Sequence, residues 1–595
     1  MSNITVYNPA AKHFINDPSS LVVAALKALT RTNPNVALDE ENKVVYTRPN
    51  GTSQVSIVSG GGAGHEPSFS AFVGHGLLAG AVSGTIFASP SAEQVRRCIQ
   101  RRVDSTKGVL VVVMNYTGDV LNFGMAVEKA KASGKNVAMV VVGDDAGVER
   151  SRGGKVGRRG IAGTVLVQKI AGALAATGAE LKDVHSVASL VANNVVSIGS
   201  SLAHVHVPGR KVGSESDEGE LAFEEAEIGM GIHNEAGVTR SKTDLKGTVK
   251  TMLKYMLDTT DKERGFLDIK KDDQTVVLVN NLGGLSVLEM GGITDEVLAQ
   301  LSADYNIKPA RVLSGTYMTS LNMLGFSISV LRLADTGLKH SMLQLLDAPA
   351  EATGWSAAVS TKSWETRSDK TREDGDGDDQ ESKPSNLTMD PSVANNVLKT
   401  ALERVVAAEP DITHYDTIVG DGDCGIGLRR GAEGILDLIS GDKLSTSDAA
   451  IFLDRIIGSV EVNMDGTSGA IYAIFLNALA TGLRSQSNSG EQKVNTAIWG
   501  KAAAFALESM GKYTPAKPGD RTLVDALAPF VETLKTSGDL KKAAEAAQEG
   551  ADHTKGMKAS LGRTVYVGGE GYQQVPDPGA YGLSKFLSGL AEGTR

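Results

Sequence analysis

The sequence predicts a multidomain chain whose first part is α/β, in two lobes, and whose second part is all-α. Three observations predict this. Short β-rich runs alternate with glycine-rich turns and helical patterns through residue 346. A polar, charged segment almost without periodicity, DAPAEATGWSAAVSTKSWETRSDKTREDGDGDDQESKPSN, then fills 347–386. From 387 to 595 the apolar residues recur at helical spacing in stretches of helix length. The expected organisation is therefore 1–346, a flexible linker over 347–386, and 387–595. Such a linker cannot bury enough apolar surface to offset its ordering entropy.

Each element has its own grounds. SQVSIVSG leads into GGAGHEP, GVLVVVMNY into TGDVLNFGMAVEKAKASG, and KNVAMVVVGDD into another glycine-rich loop. VLVQKIAGALAATG reads as an alanine-rich helix. QTVVLVNNLGG, DEVLAQLSADYN and RVLSGTYMTSLNMLGFSISVLRL suggest the second lobe. After the linker, NNVLKTALERVVAAE, DAAIFLDRIIGSVEV, GAIYAIFLNALATGLRS, NTAIWGKAAAFALESMG and TLVDALAPFVETLKTS are each of helix length.

Bulk properties narrow the function. At 595 residues the chain is too long for one core. Its hydrophobic content of 41% and charged content of 22% are ordinary for a globular protein. A net charge of −10 argues against a general nucleic-acid surface. Two cysteines, Cys98 and Cys424, make no disulfide framework and fit a reducing compartment. The apolar runs GVLVVVM and VAMVVVG have the length of buried strands, so no membrane span is expected. MSNITVYNPAAKHF lacks a signal-peptide pattern, and a cytoplasmic protein is expected.

The chemistry gathers in a few loops. DTIVGDGDCGIG carries Asp416, Asp421 and Asp423 between glycines that let the loop fold tightly. Carboxylates about 4 Å apart repel by roughly 4 kcal/mol per pair at an effective dielectric of 20, so a cation must offset them. Hard oxygen ligands in small number suit Mg²⁺, which leaves positions for water and phosphate. Taken alone, a solvated Asp/Gly turn is the simpler reading. NMDGTSGAIYA sets Thr467 and Ser468 at a helix start, where free N–H groups bind phosphate and where either hydroxyl can cap the helix. There is no G-x-x-x-x-G-K-[ST] motif, so a bound nucleotide would sit without a P-loop.

In the α/β part, SGGGAGHEP follows a strand, and His65 and Glu66 supply acid/base groups. NYTGD places Asp119 at the end of the next strand, where open α/β sheets bind ligands. EIGMGIHNEAG holds His233 between glycines with no apolar pattern around it. His65, Asp119 and His233 are candidates for one pocket. A turn histidine and a helix N-cap explain the first two as well.

Read in order, GGGAGHEP, AGAVSGTIFASPS, NYTGDVLNFGMAVEKA, GRRGIAGTVLVQKIAGA, GMGIHNEAG, GDGDCG, GTSGAIY, GDRTLVDAL and DPGAYG closely resemble the single-chain ATP-dependent dihydroxyacetone kinases across nearly the whole chain. The resemblance implies a two-lobed substrate domain and a nucleotide domain built as a barrel of antiparallel helices. It also implies a homodimer in which domains are exchanged between subunits. By motif, His233 would hold the ketone covalently as a hemiaminal. His65 and Asp119 would orient the triose and take the proton of the reacting hydroxyl. Gly62, Ala63, Gly64 and His65 match the substrate loop, to which Met114 and Asp119 add contacts. Asp416, Asp421 and Asp423 match carboxylates that hold two Mg²⁺ ions. Cys424, Gly425, Ile426, Gly427, Thr467, Ser468, Gly511, Thr522, Leu523, Arg563, Asp577, Pro578 and Gly579 fall where the family contacts ATP.

Four departures stand out. Met114 replaces a usual lysine, HNEAG replaces the commoner HGEPG or HGEAG, Ala63 replaces a serine, and Asp465 replaces the first glycine of GGTSG. The implied activity is phosphorylation of dihydroxyacetone, or of glyceraldehyde or another short ketose. Cleavage of FAD to cyclic FMN and AMP is a possible second activity in such a family, and a non-catalytic sugar-binding regulator is the further alternative.

Overall fold

The computed structural model describes residues 12–210, 221–366, 383–486, 490–561 and 573–594. The chain divides into two compact units, Met1–Lys370 and Thr371–Arg595.

The first unit contains two six-stranded sheets. In the first sheet the strands run in the order Val36–Asp39, Val44–Thr47, Gly80–Ile86, Ser56–Ala63, Val109–Met114, Val137–Val142. Its four last-named strands are parallel. Val109–Met114 is buried at every position, as an inner parallel strand covered on both faces must be. The second sheet runs Arg311–Gly315, Thr275–Asn281, Gly325–Arg332, Val195–Ser201, Glu225–Ile228, Thr239–Lys242 and is antiparallel except between the first two. The helix Thr164–Ala176, buried along nearly its whole length, contributes Val165, Leu166 and Ile170 to the core that also takes Leu110 and Val112 from one sheet and Val276 and Leu278 from the other. The two-lobed α/β expectation matches this architecture.

The second unit is helical. Pro391–Val419, Cys424–Ser440, Ala449–Asn463, Gly466–Arg484, Thr496–Met510, Val524–Ser537, Leu540–His553 and Pro578–Gly593 each pack on the next, and the last packs on the first. A ring of helices results. Leu398, Ala401, Leu402, Val405, Ala408 and Ile412 of the first helix show the three- and four-residue spacing that turns one face inward. The ring closes tightly at Gly589, where a side-chain carbon would stand 2.5 Å from Ala401 Cα. Inside lies an apolar cavity of about 690 Å³, lined by residues such as Leu402, Phe452, Phe475, Trp499 and Phe586.

One expectation needs correction. The packed chain runs past 346: Asp347 pairs with Arg311 at 2.7 Å, and Trp355, 8% exposed, packs edge-on to Phe72 and Tyr317. On the other side, Ser385 is held in the second unit, its N–H donating to Asp448. The expected linker is thus narrowed from both sides, and its centre, 367–382, lies outside the described residues. Among the described residues one helix, Gly466–Arg484, is long and apolar enough to cross a membrane. It is a wall of the ring, packed on Ala449–Asn463 and Thr496–Met510, with Leu479, Ala480 and Leu483 in the core.

Candidate active site

The first strand-to-loop passage ends at Ala63, buried, and turns at Gly64 with φ +106°. A side chain at Gly64 would meet the Phe87 ring at 2.8 Å, so glycine is needed there for both reasons. His65 follows, fully buried. Its Nδ1 lies 2.8 Å from the Thr319 carbonyl, and its Nε2 lies 3.0 Å from His233 Nε2. Burial and the neighbouring His233 charge push the His65 imidazole down to about 3, so it stays neutral.

His233 reaches this point from the loop after Glu225–Ile228. Its backbone N–H and its ring Nδ1 both meet the Glu235 carboxylate, at 2.9 and 3.1 Å. Phe87 stacks on His65, with centroids 5.3 Å apart, while Phe87 and Tyr116 stand edge-on to His233 at 5.2 and 4.8 Å. Asp119, in the first turn of Thr117–Ala132, is 5% exposed and keeps one buried carboxylate oxygen without a partner. Burial raises its pKa, against the hydrogen bond from Ser89 and the His233 charge. A carboxylate so raised is better matched to accept a proton near neutrality.

Sequence patterns did not single out the supporting residues. Thr319 and Ser320 clamp the pocket: Thr319 N–H donates to the His65 carbonyl, and Ser320 Oγ donates to the Ile232 carbonyl at 2.5 Å. Phe87, Asn234 and Leu321 carry φ of +59°, +66° and +50° around it. Such strain costs about 1–3 kcal/mol per residue and gathers at functional sites. Two sequence departures find explanations. Asn234 takes the left-handed conformation that a glycine would, and its amide exchanges two hydrogen bonds with the Val205 backbone at 3.0 and 2.7 Å. Met114 is 1% exposed and packs in the apolar core, close under Gly160.

In the helical unit, carboxylate oxygens of Asp416, Asp421 and Asp423 lie within 4.8 Å of one another. Asp416 is buried and accepts from Cys424 N–H at 3.0 Å, while Asp421 and Asp423 are exposed. This donor set fits a hard divalent cation. The helices Cys424–Ser440 and Gly466–Arg484 both start here without a cap from their own N-cap residues, Asp423 and Asp465, and Cys424 Sγ lies 3.9 Å from Ser468 Oγ. Two such helix starts favour an anion. Asp465, one of the four sequence departures, is 84% exposed and pairs with Arg430 at 2.5 Å. Asp577 caps Pro578–Gly593 through Ala580 N–H. Its carboxyl is pushed up to about 6 by burial, against the Ala580 hydrogen bond and the Arg521 charge. A side-chain carbon at Gly579 would stand 3.5 Å from Leu523 Cβ, which joins these two predicted contacts, and Thr522 adjoins them. Gly511 ends the helix Thr496–Met510, with its own helix as its near neighbours. Arg563 lies outside the described residues.

Residues 27–354 match the Dak1 domain family and residues 418–592 the DAK2 domain family. The chain belongs to the dihydroxyacetone kinase family. Among its kinase relatives, the dihydroxyacetone kinase of Pichia angusta is 43% identical over 98% of both chains. The triokinase/FMN cyclase of Homo sapiens is 36% identical, over 98% of this chain and 99% of its own. The crystal structure of the C. freundii dihydroxyacetone kinase with AMP-PNP and Mg²⁺ matches with a TM-score of 0.63 and 30% identity, covering 98% and 99%.

Proposed function

We propose that this kinase transfers the γ-phosphoryl group of ATP to dihydroxyacetone, held as a hemiaminal on His233. One observation carries the phosphoryl-transfer reading: the three clustered carboxylates between two uncapped helix starts. Mg²⁺, two ions in this reading, supplies neutralisation of the phosphate oxygens when bound. Asp416, Asp421 and Asp423 hold the metal. Cys424 to Gly427, Thr467, Ser468, Thr522, Leu523 and Asp577 to Gly579 receive the nucleotide, with Gly511 and Arg563 carried over on motif alone.

At the other site, the two facing histidines and the unpartnered oxygen of buried Asp119 support ketone capture. His233 binds the carbonyl carbon and so fixes the triose. Asp119, beside His65, accepts the proton of the attacking hydroxyl. Gly62, Ala63, Gly64 and the Met114 backbone complete the wall. The reading includes a homodimer with exchanged domains and, from two unpaired cysteines, a cytoplasmic home. The clustered aspartates favour catalysis over a sugar-binding regulator. The human relative's name supports a second activity on FAD, which Mn²⁺-dependent turnover of FAD would reveal.

ADP release should be fast with dihydroxyacetone, measurable with glyceraldehyde and absent with glycerol, which has no carbonyl. Asp421→Asn and Asp423→Asn should each lower kcat by on the order of 100-fold while ketone binding persists. Near-normal kcat with Mg²⁺ would remove the metal assignment. His233→Ala should keep ATP binding and lose most of the selection against glycerol. A triose seen well ordered but unbonded to that ring would refute covalent capture.

A further inference from the structure

Glu235 was no part of the expected site, yet it is the residue most closely engaged with His233. Its carboxylate accepts from the His233 backbone N–H at 2.9 Å and meets the ring Nδ1 at 3.1 Å. It is seated over Gly231, where a side-chain carbon would stand 1.9 Å from Glu235 Oε2 and 2.7 Å from Arg159 Nη1. No residue but glycine leaves that carboxylate its place. Arg159 is itself fixed, donating to Asp145 Oδ2 and to the Gly229 carbonyl, each at 2.8 Å.

We infer that Glu235 is the positioning residue of ketone capture: it holds the His233 proton on Nδ1, turns Nε2 toward the carbonyl carbon, and remains as counter-charge to the bonded ring. This inference rests on the hemiaminal reading.

Hydrogen-bond accounting leads there. A carbonyl only accepts, so His65 Nδ1 carries a hydrogen for Thr319. His65 is neutral, so its Nε2 is an acceptor. An ionised carboxylate also only accepts, so His233 Nδ1 carries a hydrogen for Glu235. The contact of 3.0 Å between the two Nε2 atoms then needs one more proton, which His233 supplies as an imidazolium facing Glu235. Burial pushes the Glu235 carboxyl up. The His233 ring hydrogen bond, its charge and the backbone N–H outweigh that and hold it at about 2.

Capture then balances within the pocket. The Nε2 proton of His233 passes to His65 Nε2. The freed lone pair forms the N–C bond, the π pair of the C=O bond moves to oxygen, and that oxygen takes the proton from His65. His65 ends neutral again. His233 ends as an N-substituted imidazolium whose Nδ1–H still donates to Glu235. One positive ring charge faces one carboxylate before and after, and no proton is exchanged with water.

The test uses the full-length protein labelled with ¹⁵N-histidine. The wild-type His233 signals, assigned by their loss in His233→Ala, should show a protonated Nδ1. Glu235→Gln offers an amide that donates, which moves the ring proton to Nε2. It should lose the triose mass increment and raise KM for dihydroxyacetone on the order of 100-fold, with KM for ATP unchanged. Glu235→Asp should restore part of both. An unprotonated Nδ1 in the wild type overturns the inference, even if Glu235→Gln fails to fold. So does Glu235→Gln with a wild-type adduct and KM. A wild type that forms no adduct sinks the covalent reading itself, and this inference with it.

Discussion

Asn234 shows how one side chain can replace a glycine and add to it. Its φ of +66° is one that asparagine tolerates and alanine does not. Asn234→Ala should cost about 2 kcal/mol from strain and two lost hydrogen bonds, seen as a lower urea midpoint. Asn234→Gly should cost about half as much, since only the hydrogen bonds go. Equal losses would show that conformation is unimportant there. The buried histidine sets a pH dependence. Burial holds the folded His65 imidazole down at about 3 against its ordinary 6.5, so in that window the unfolded chain binds the extra proton. Stability is full above pH 6.5 and falls toward pH 3, by up to about 1.4 kcal/mol per unit. Glu235, low at about 2 against 4.5, acts in the same sense between those values. His65→Gln should flatten the urea midpoint between pH 6.5 and 4; an unchanged slope would exclude His65 as its source.

Helix starts decide the second site at the next scale. Gly466–Arg484 begins uncapped beside Asp465, a carboxylate that suits the positive end of a helix dipole but competes with phosphate for it. Because Asp465 is exposed and paired with Arg430, the competition is weak. Asp465→Gly should change stability by less than about 1 kcal/mol and lower KM for ATP only slightly, more so at low salt. A tenfold change at physiological salt would put this carboxylate at the phosphates or the metal.

For the whole molecule, the two units are each packed internally, and the chain between them is where cleavage should begin. Limited proteolysis should first cut within 367–382, which is polar and charged. First cuts between Asp347 and Trp355 would contradict the packing of Trp355 in the core.

Much of the fold was legible because it rests on periodicity. The runs VLVVVM and Leu398 through Ile412 spell a buried strand and an inward helix face without reference to any neighbour. Asp416, Asp421 and Asp423 were legible as a group too, since eight consecutive residues, from a helix end into the loop after it, hold all three. Trp355 was not, because a lone tryptophan in a polar stretch has no period, and only Phe72 and Tyr317 make its place. Nor were Phe87, Tyr116, Thr319 and Glu235 as neighbours of the two histidines. The sequence by itself determined which elements form, for those depend on residue type and local spacing. The tertiary structure alone decided that His65 meets His233 across 168 positions and that His65 Nδ1 faces the Thr319 carbonyl, since both follow from contacts between distant loops.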